Sequence, residues 1–320
     1  MKLKEKVLNL LSGRQGESIS GEEMAKQLGV TRNAVWKSVK ALKEEGYQIS
    51  SVANTGYVLS RDEEIFTALK IKSFSQNDIN VTVIDEAESS NDIAKELAKS
   101  GADEGTLVVV KRQSAGRGRM GRRFVSNEEN GLYMSLILRP KMSAQRAVKI
   151  TVIGAVAALE AIEECANIQC TIKWVNDIFI GERKVCGILT EASVNIETGL
   201  LDYAILGIGV NLTQPNGGFD DEIKDIATSI YGFEAPKDSK SRLCALIVDK
   251  FLHYYKSIEN EAYIGAYKCR SNLIGKNVDI VRGEEIISGV VVDIDNDANL
   301  LVNSEGKLFA FNSGEARVKK

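Results

Sequence analysis

Apolar positions along the chain change their spacing twice, which divides it into parts of different predicted structure. Over residues 1–60 they recur every three or four positions, as on helices that bury one face. From Val81 to about Asn272 short apolar runs alternate with longer amphipathic segments, and beyond that only short alternating strands remain. The pattern predicts an α+β protein. The predicted domains are 1–62, 81–272 and 273–320, with a charged linker at 63–80.

The first part predicts a winged helix-turn-helix. After an initial amphipathic helix, Ser20 can cap a second helix, with Glu23 in the position of a capping box, and Gly29 can end it. Thr31 can cap a third, basic helix, and two alternating segments around Asn54-Thr55-Gly56 predict a hairpin wing. The candidate DNA contacts lie at the second and third helices: Ser20, Thr31, Arg32, Asn33, Trp36, Lys37 and Lys40.

The charge distribution favours the same interpretation of this part. Residues 1–61 contain ten lysines and arginines against six glutamates, whereas the whole chain has a net charge of −3. A basic segment on an acidic body indicates a local contact with a polyanion. The alternative is a small three-helix packing module whose basic surface is incidental. The ordered series of cap, turn, basic helix and glycine-tipped hairpin favours DNA binding.

The middle part predicts a sheet of mainly antiparallel strands with helices segregated to one side. The predicted strands are VTVIDEA, TLVVVKRQ, GLYMSLILRP, TIKWVNDIFI, KVCGILTEASV and LDYAILGIGVNL, the last three consistent with a meander. In the last part turn signals recur about every ten residues, which predicts a small β-barrel. These turns are Arg282-Gly283, Asp295-Asn296-Asp297 and Ser304-Glu305-Gly306.

Composition removes several classes of enzyme. The chain has one histidine, His253, in a stretch of helical periodicity where a half-buried structural side chain is the simplest interpretation. A Ser-His-Asp or Cys-His nucleophile, or a zinc site with several histidines, is therefore disfavoured. The remaining chemistry must use lysine, arginine, aspartate, asparagine and backbone dipoles, which suits the positioning and charge stabilisation of phosphates.

The cysteines and the apolar runs predict the compartment. Five scattered cysteines without a CxxC pair indicate free, mostly buried thiols in a reducing environment. No apolar run has the length needed to span a membrane, and no basic-then-apolar leader opens the sequence. We therefore expect a cytoplasmic protein without a membrane partner.

The most distinctive segment runs from Gln113 to Phe124, directly after a predicted buried strand. It interleaves three glycines with four arginines, and so offers a phosphate both backbone N–H donors and bidentate cations. It is not a Walker loop, because no GK[ST] follows. Arg-Gly repeats also occur in RNA-binding tails, but this one lies inside a folded core. Its candidate ligand contacts are Gln113, Gly116, Arg117, Gly118, Arg119 and Arg122.

Two lysine-containing segments supply further charge. In the segment Lys173-Trp174-Val175-Asn176-Asp177, the ammonium can serve a nucleotide and the carboxylate can ligate Mg²⁺. Taken alone, it is more simply a surface salt bridge. Lys184 opens an apolar strand with Gly187 just beyond, where a cation can stabilise a developing mixed anhydride of phosphate and carboxylate. In isolation, a solvated lysine in a hairpin explains it equally well.

Two small or polar segments complete the set. The stretch from Gly207 to Leu212 ends an apolar strand, permits close backbone approach and presents Asn211 as both donor and acceptor. Ser89, Ser90 and Asn91 lie between a strand and a helix, where they are either helix caps or ligand contacts.

In this order and spacing, the segments SSN, QSAGRGRMGR, KWVND, RKVCGIL and GIGVNL resemble the catalytic domain of biotin–protein ligases. With the winged helix before it and the barrel after it, the whole chain resembles the bifunctional biotin ligase and biotin-operon repressor family. The pair GRGRMGR and KWVND is the most specific part of this resemblance. It implies a synthetase-like core and an SH3-like C-terminal barrel.

The resemblance implies an activity and its partners. Such ligases condense biotin with Mg·ATP to biotinyl-5′-AMP, then transfer biotin to one lysine of a biotin carboxyl carrier domain. The family also represses transcription as an adenylate-bound homodimer on operator DNA.

The resemblance also implies roles for individual residues. By motif position, the biotin contacts would be Ser89, Ser90, Asn91 and Gln113. The loop over biotin and adenylate would include Gly116, Arg117, Gly118, Arg119 and Arg122. Lys184, next to Gly187, would contact carboxylate and phosphate. Nucleotide and metal would be served by Lys173, Asn176, Asp177 and Asn211, with Trp174 near the adenine and Arg317 approaching from the barrel. Catalysis would depend on Lys184, Arg119 and Asp177, and the metal would bind Asp177.

The sequence departs from the family pattern at a few positions and leaves two alternatives open. Val175 stands where proline is usual, Phe124 replaces a tryptophan, Asn127 a proline and Ser90 a threonine. Val175 removes no polar group and Ser90 keeps the hydroxyl, and we expect none of the four to abolish activity. One alternative is a regulator that senses biotin without ligating it. The other is a lipoate–protein ligase of the same fold.

Overall fold

The computed structural model describes residues 3–44, 46–52, 55–60, 66–126 and 130–319. Two compact units divide the chain, Met1–Ser73 and Phe74–Lys320. Among the described residues, no helix is long and apolar enough to cross a membrane. All five cysteines are free thiols, and three of them are buried.

The first unit is the predicted winged helix-turn-helix. Its elements are α1 (Leu3–Gly13), β1 (Ser18–Ile19), α2 (Gly21–Leu28), α3 (Arg32–Glu44), β2 (Ile49–Val52) and β3 (Gly56–Leu59). Ser20 caps α2, Gly29 ends it in a left-handed conformation, and Thr31 accepts a hydrogen bond from the backbone N–H of Ala34. The three predicted end signals are therefore confirmed.

The wing has one strand more than the sequence predicted. β1, β3 and β2 form an antiparallel sheet in that order. β1 was missed because two residues are too few to show alternation. At Gly56, φ is +135° and a Cβ would lie 2.2 Å from the carbonyl oxygen of Ile19, so only glycine lets the strands approach. Asn54 of the predicted wing turn lies outside the described residues.

Part of the predicted linker is helical. α4 (Ala68–Phe74) follows residues 61–65, which lie outside the described part of the chain. The segment behind α4 is fixed by Asp249, which accepts hydrogen bonds from Ser75, the backbone of Gln76 and Asn77. α4 was missed because seven residues are too few to show a helical apolar period.

The second unit contains a seven-stranded sheet in the order β4-β5-β6-β10-β9-β8-β7. β4 and β5 are parallel and all other neighbours are antiparallel, so the sheet is mixed, and the predicted meander is confirmed in β7 to β10. The strands are β4 (Asn80–Ala87), β5 (Thr106–Gln113), β6 (Gly131–Leu138), β7 (Thr171–Lys173), β8 (Asp177–Ile180), β9 (Arg183–Val194) and β10 (Leu201–Asn211). The helices are α5 (Ser90–Lys99), α6 (Val148–Ala166), α7 (Ser239–Lys256) and α8 (Ala262–Cys269).

Two predictions about this sheet are wrong. The segment TIKWVNDIFI is a hairpin, because β7 and β8 pair antiparallel with Lys173 opposite Asp177. Helices also lie on both faces. Ile205 of β10 packs with α5, whereas its neighbour Leu206 contacts α6 at Gly154. Successive strand residues point to opposite faces, and strands buried on both sides read as the continuous apolar runs seen here.

The last part of the chain is an antiparallel sheet of five strands, ordered β14-β13-β12-β11-β15. The strands are β11 (Asn277–Arg282), β12 (Glu285–Ile294), β13 (Leu300–Ser304), β14 (Lys307–Phe311) and β15 (Glu315–Val318). The predicted turn residues Gly283 and Gly306 both have positive φ. This sheet packs on the part of the same unit that contains the seven-stranded sheet, where the indole N–H of Trp174 donates to the carbonyl of Ala298 at 2.9 Å.

Candidate active site

A cavity of about 590 Å³ lies against β9 and β10 and extends to β15. It brings together nearly all the ligand contacts that the sequence predicted. The predicted residues that line it are Ser89, Ser90, Asn91, Gln113, Arg117, Gly118, Arg119, Arg122, Lys173, Trp174, Asn176, Asp177, Lys184, Gly187 and Asn211. Gly116 and Arg317 are not part of its wall.

Three glycines form the floor of the cavity. Gly187 of β9 pairs with Gly209 of β10, and Gly207 lies two residues away on the same face. A Cβ on Gly209 would lie 2.8 Å from the ring of Phe124, and one on Gly207 would lie 2.2 Å from Oδ1 of Asn91. Side chains from elsewhere therefore lie directly on the strand backbones, and the alternation of β10 gives its other face to α6.

A chain of buried hydrogen bonds lies at the α5 side of the cavity. The hydroxyl of Ser135 is 2.8 Å from Oγ of Ser90 and 2.6 Å from Oδ1 of Asn91. Nδ2 of Asn91 donates to Glu191 at 2.7 Å, and Glu191 forms an ion pair with Lys95. Ser89 is the N-cap of α5 but makes no side-chain capping bond. The N-terminus of α5 thus supplies polar groups to the cavity.

Gln113 fixes the neighbouring corner. Its Oε1 accepts the backbone N–H of Ser90 at 2.7 Å, and its Nε2 donates to Ser126 at 3.2 Å. Gly116 supports this corner from behind, because a Cβ there would lie 2.3 Å from Oγ of Ser126. Gly116 therefore stands behind the cavity wall, and its place in the predicted ligand set is indirect.

Opposite charges meet at another part of the cavity. Nζ of Lys184 is 2.7 Å from Oδ1 of Asp177. Asn176 donates to the same carboxylate at 2.9 Å and accepts from Nη1 of Arg119 at 3.1 Å. Burial lowers the pKa of Arg119, and the carboxylate of Asp177 opposes this shift. Arginine ordinarily titrates far above neutral pH, so the guanidinium remains charged. Two cations and one carboxylate thus converge, an arrangement that can stabilise negative charge on a ligand such as a phosphate.

The Gly/Arg loop covers this charged region. Arg119–Gly121 forms a single 3₁₀ turn, and the side chain of Met120 is 70% exposed. Arg117 is paired with Asp92 in the first turn of α5. Arg122 contacts Glu315 of β15 at 2.6 Å. The loop is therefore attached to helix α5 at one end and to strand β15 at the other.

Asn211 holds a second covering segment. Its Nδ2 donates to the carbonyl of Thr228 at 3.0 Å. The backbone of Lys184 bonds to Ile226 and Thr228 at 2.8 Å each, so residues 213–231 return along the start of β9. Phe219 of this segment lines the cavity.

Two of the predicted contacts, Trp174 and Arg317, are engaged by other groups of the protein. Trp174 is 4% exposed and its indole N–H is engaged by Ala298, so only its ring face is available to a ligand. Arg317 lies on β15 with its guanidinium 3.1 Å from Glu315, which lines the cavity in its place. The sequence missed Ser135 and Glu191. The lone hydroxyl in the apolar strand GLYMSLILRP was the available signal for Ser135.

Within the described residues, no three His, Cys, Asp or Glu side chains are grouped so that they could hold a metal ion. Asp177 is the carboxylate at the charged end of the cavity. Mg²⁺ is commonly bound by one or two carboxylates together with substrate phosphates and water, so a single aspartate beside a phosphate site fits it.

Five of the seven candidate DNA contacts lie on α3 of the first unit. The exposed side chains of α3 include those of Arg32, Asn33, Trp36, Lys37 and Lys40. Nζ of Lys40 lies 5.8 Å from the ring of Trp36. Ser20 and Thr31 instead use their hydroxyls as helix caps. A basic, exposed helix following a tight turn has the form of a recognition helix.

Three parts of the chain match known families. Residues 83–211 match the biotin/lipoate A/B protein ligase family, residues 4–58 an HTH domain and residues 273–318 the biotin protein ligase C terminal domain. The chain is 43% identical over 234 residues to the bifunctional ligase/repressor BirA of Bacillus subtilis, covering 71% of this chain and 70% of that protein. It is 24% identical over 318 residues to BirA of Escherichia coli, covering 98% and 96%.

A solved structure agrees with these matches. The biotin protein ligase from Aquifex aeolicus in complex with biotin and ATP superposes with a TM-score of 0.62 at 28% identity, covering 75% of this chain and 99% of that chain. The match to this structure supports the fold of the second unit, and the match of residues 4–58 to an HTH domain supports the fold of the first unit. The chain therefore belongs to the biotin protein ligase family, in the group of bifunctional ligase/repressors.

Proposed function

We propose that this protein condenses biotin with ATP to biotinyl-5′-AMP and transfers the biotinyl group to a lysine of a biotin carboxyl carrier domain. It also represses transcription in response to biotin. The observation that carries this is the single cavity in which Lys184, Arg119 and Asp177 converge beside a corner of neutral hydrogen-bonding groups. A ligand with a polar neutral head and a carboxylate tail matches both ends.

Adenylation needs no nucleophile from the enzyme. A carboxylate oxygen of biotin attacks the α-phosphorus of ATP in line, and pyrophosphate leaves. Negative charge builds on the phosphate oxygens, where the ammonium of Lys184 and the guanidinium of Arg119 stabilise it. Asn176 holds Arg119 in place at 3.1 Å. Mg²⁺, bound by Asp177 and the phosphates, would neutralise further charge on them.

Transfer uses the same groups. The amine of the acceptor lysine attacks the acyl carbon, the C–O bond to the phosphate breaks, and AMP leaves while the amine loses a proton. The mixed anhydride must be kept from water until then. The loop from Arg117 to Arg123 and the ring of Phe124, 5.9 Å from Nζ of Lys184, are placed to exclude it.

The charged end of the cavity weighs against a biotin sensor without ligase activity. Such a sensor would have no need for Lys184 and Asp177 facing each other at 2.7 Å in the cavity. The second alternative, a lipoate ligase, would bind an acid with a different head group. The polar corner at Ser90 and Gln113, where the head group would bind, therefore distinguishes the two functions.

We expect ATP-dependent transfer of labelled biotin to a carrier domain. Lys184→Ala should slow it by about a hundredfold to a thousandfold, because it removes a charge that acts on the transition state. Lys99→Ala is a matched control, since its ammonium pairs with Glu96 at an exposed helix end. Biotin binding without transfer by the unaltered protein would instead support the sensor.

For the DNA side, we infer that the adenylate-bound protein dimerises and places two α3 helices on a twofold operator. One winged helix makes few contacts, so occupancy of the operator at physiological salt requires two.

We also infer that the chain is organised as domains 1–62, 81–272 and 273–320, with a linker at 63–80 between the first two. We infer further that the protein acts in the cytoplasm.

Operator binding can be measured as a function of adenylate and salt. The adenylate should tighten binding, and Lys37→Ala should weaken it and reduce the salt slope by about one. Equal affinity of a monomer with and without the adenylate would contradict the coupling.

A further inference from the structure

Five groups of the second unit form one continuous chain that ends at the cavity. Lys95 pairs with Glu191, Glu191 accepts from Asn91, and Asn91 contacts Ser135, which contacts Ser90. Asn91 and Ser135 are fully or almost fully buried, at 4% and 0% exposure. Ser135 is enclosed and Asn91 has both ends of its amide engaged, so the hydrogen-bond direction between Glu191 and Ser90 is set by the members of the chain themselves.

The carboxylate of Glu191 fixes that direction. A carboxylate only accepts, so Asn91 must turn its NH₂ toward Glu191 and its oxygen toward Ser135. Ser135 has one proton and donates it to that oxygen. Its own oxygen must then accept the proton of Ser90, at an Oγ–Oγ distance of 2.8 Å. Ser90 therefore has only lone pairs left for the cavity.

Gln113 is fixed beside it by similar logic. The backbone N–H of Ser90 only donates, so Oε1 of Gln113 must face it. Nε2 gives one proton to Ser126 and keeps another. The corner thus offers an acceptor from Ser90 next to a donor from Gln113.

We propose that Glu191 is the positioning residue that determines which acid this site accepts, by making Ser90 an acceptor. A head group with an N–H beside a carbonyl, such as the ureido ring of biotin, pairs with both groups of the corner. A dithiolane head, as in lipoate, has no N–H to give. This inference rests on the proposed function and names the feature of the substrate that the site selects.

Lys95 keeps the hydrogen bonds between Glu191 and Ser90 in the direction described above. Burial raises the pKa of Glu191, but the hydrogen bonds from Lys95 and Asn91 outweigh it and lower the pKa overall, so the group stays a carboxylate. In Glu191→Gln, the ammonium of Lys95 still requires an acceptor, which turns the new NH₂ toward Asn91. Asn91 then flips, Ser135 donates to Ser90, and Ser90 points its proton into the cavity.

The test measures pyrophosphate release with biotin or lipoic acid as the substrate. Glu191→Gln should raise the KM for biotin about tenfold to a hundredfold, because the hydroxyl proton of Ser90 then faces the N–H of the biotin ring. The KM for ATP and the rate with lipoic acid should stay unchanged. Glu86→Gln, on the exposed outer strand β4, is the matched control. An unchanged KM for biotin, or equal losses for biotin and ATP, would overturn the inference.

Two further variants separate the chain of hydrogen bonds from a general structural effect. In a Ser90→Ala background, Glu191→Gln should add little, because the group that it reorients is gone. Adding Lys95→Met to Glu191→Gln should recover part of the biotin KM, since nothing then forces the flip. Additive losses in both combinations would contradict the inference. If the unaltered protein released no pyrophosphate with biotin, the proposed function itself would fail.

Discussion

Lys184 and Asp177 form an ion pair at 2.7 Å, and in the proposed reaction this pair is where the phosphate binds. The ammonium is held at the cavity by an exchangeable partner, so an incoming phosphate oxygen can replace the carboxylate. The carboxylate of Asp177, freed by this exchange, would then be available to hold Mg²⁺ together with the phosphates. A lysine is suited to this exchange, because it acts as a point charge with freely rotating donors.

At the same scale, the charge of Glu191 predicts a dependence of stability on pH. Its pKa in the folded protein lies below the ordinary value of 4.5. The stabilisation is therefore present above that value and is lost as the pH falls through the folded pKa. The free energy of unfolding in urea should differ between the unaltered protein and Glu191→Gln more at pH 7 than near pH 3.5. A difference that stays constant or grows at the lower pH would refute the assigned charge.

At the scale of elements, β10 serves two purposes with alternate residues. Ile205 packs against α5 and Gly207 and Gly209 form the floor, whereas Leu206 on the opposite face meets α6. The side-chain period of two in a strand makes this division possible. The residues that pack against α6 and the residues that form the cavity floor are therefore different residues of the same strand.

This division predicts the effect of adding a methyl group. Gly207→Ala places a Cβ 2.2 Å from Oδ1 of Asn91, which must move and break the chain to Ser90. We expect kcat/KM for biotin to fall by on the order of a hundredfold. Gly232→Ala, with no atom within 4 Å of the new Cβ, is the control. Steady-state kinetics check both, and equal activity of the two variants would count against the floor.

The sequence could predict most elements of this fold, because apolar periodicity and end signals are local. The prediction failed where the local pattern was misleading or where interacting residues lie far apart in the sequence. The hairpin in TIKWVNDIFI was missed because buried Trp174 and Val175 continue the apolar run through the turn. The partners of Asn91 were missed because Glu191 lies 100 residues away and Ser135 lies 44 residues away. Motif residues were found, while the groups that orient them were not.

At the scale of the second unit, the barrel completes the site. Gly314, Glu315 and Ala316 line the cavity, and Glu315 holds Arg122 of the Gly/Arg loop. On the other side, Lys149 at the start of α6 lies 3.5 Å from Asp297, and Trp174 donates to Ala298. The C-terminal strands are thus fixed to the catalytic sheet next to the charged residues, which explains why a small barrel belongs to this enzyme.

The central claim is that an oxygen of biotin's own carboxylate bonds to the α-phosphorus and forms a mixed anhydride. It is tested most directly with biotin labelled with oxygen-18 in the carboxylate. After transfer to the carrier lysine, mass spectrometry of the nucleotide should find AMP with one labelled oxygen, because the C–O bond breaks and leaves that oxygen on phosphorus. Unlabelled AMP, or label in the released pyrophosphate, would contradict the account.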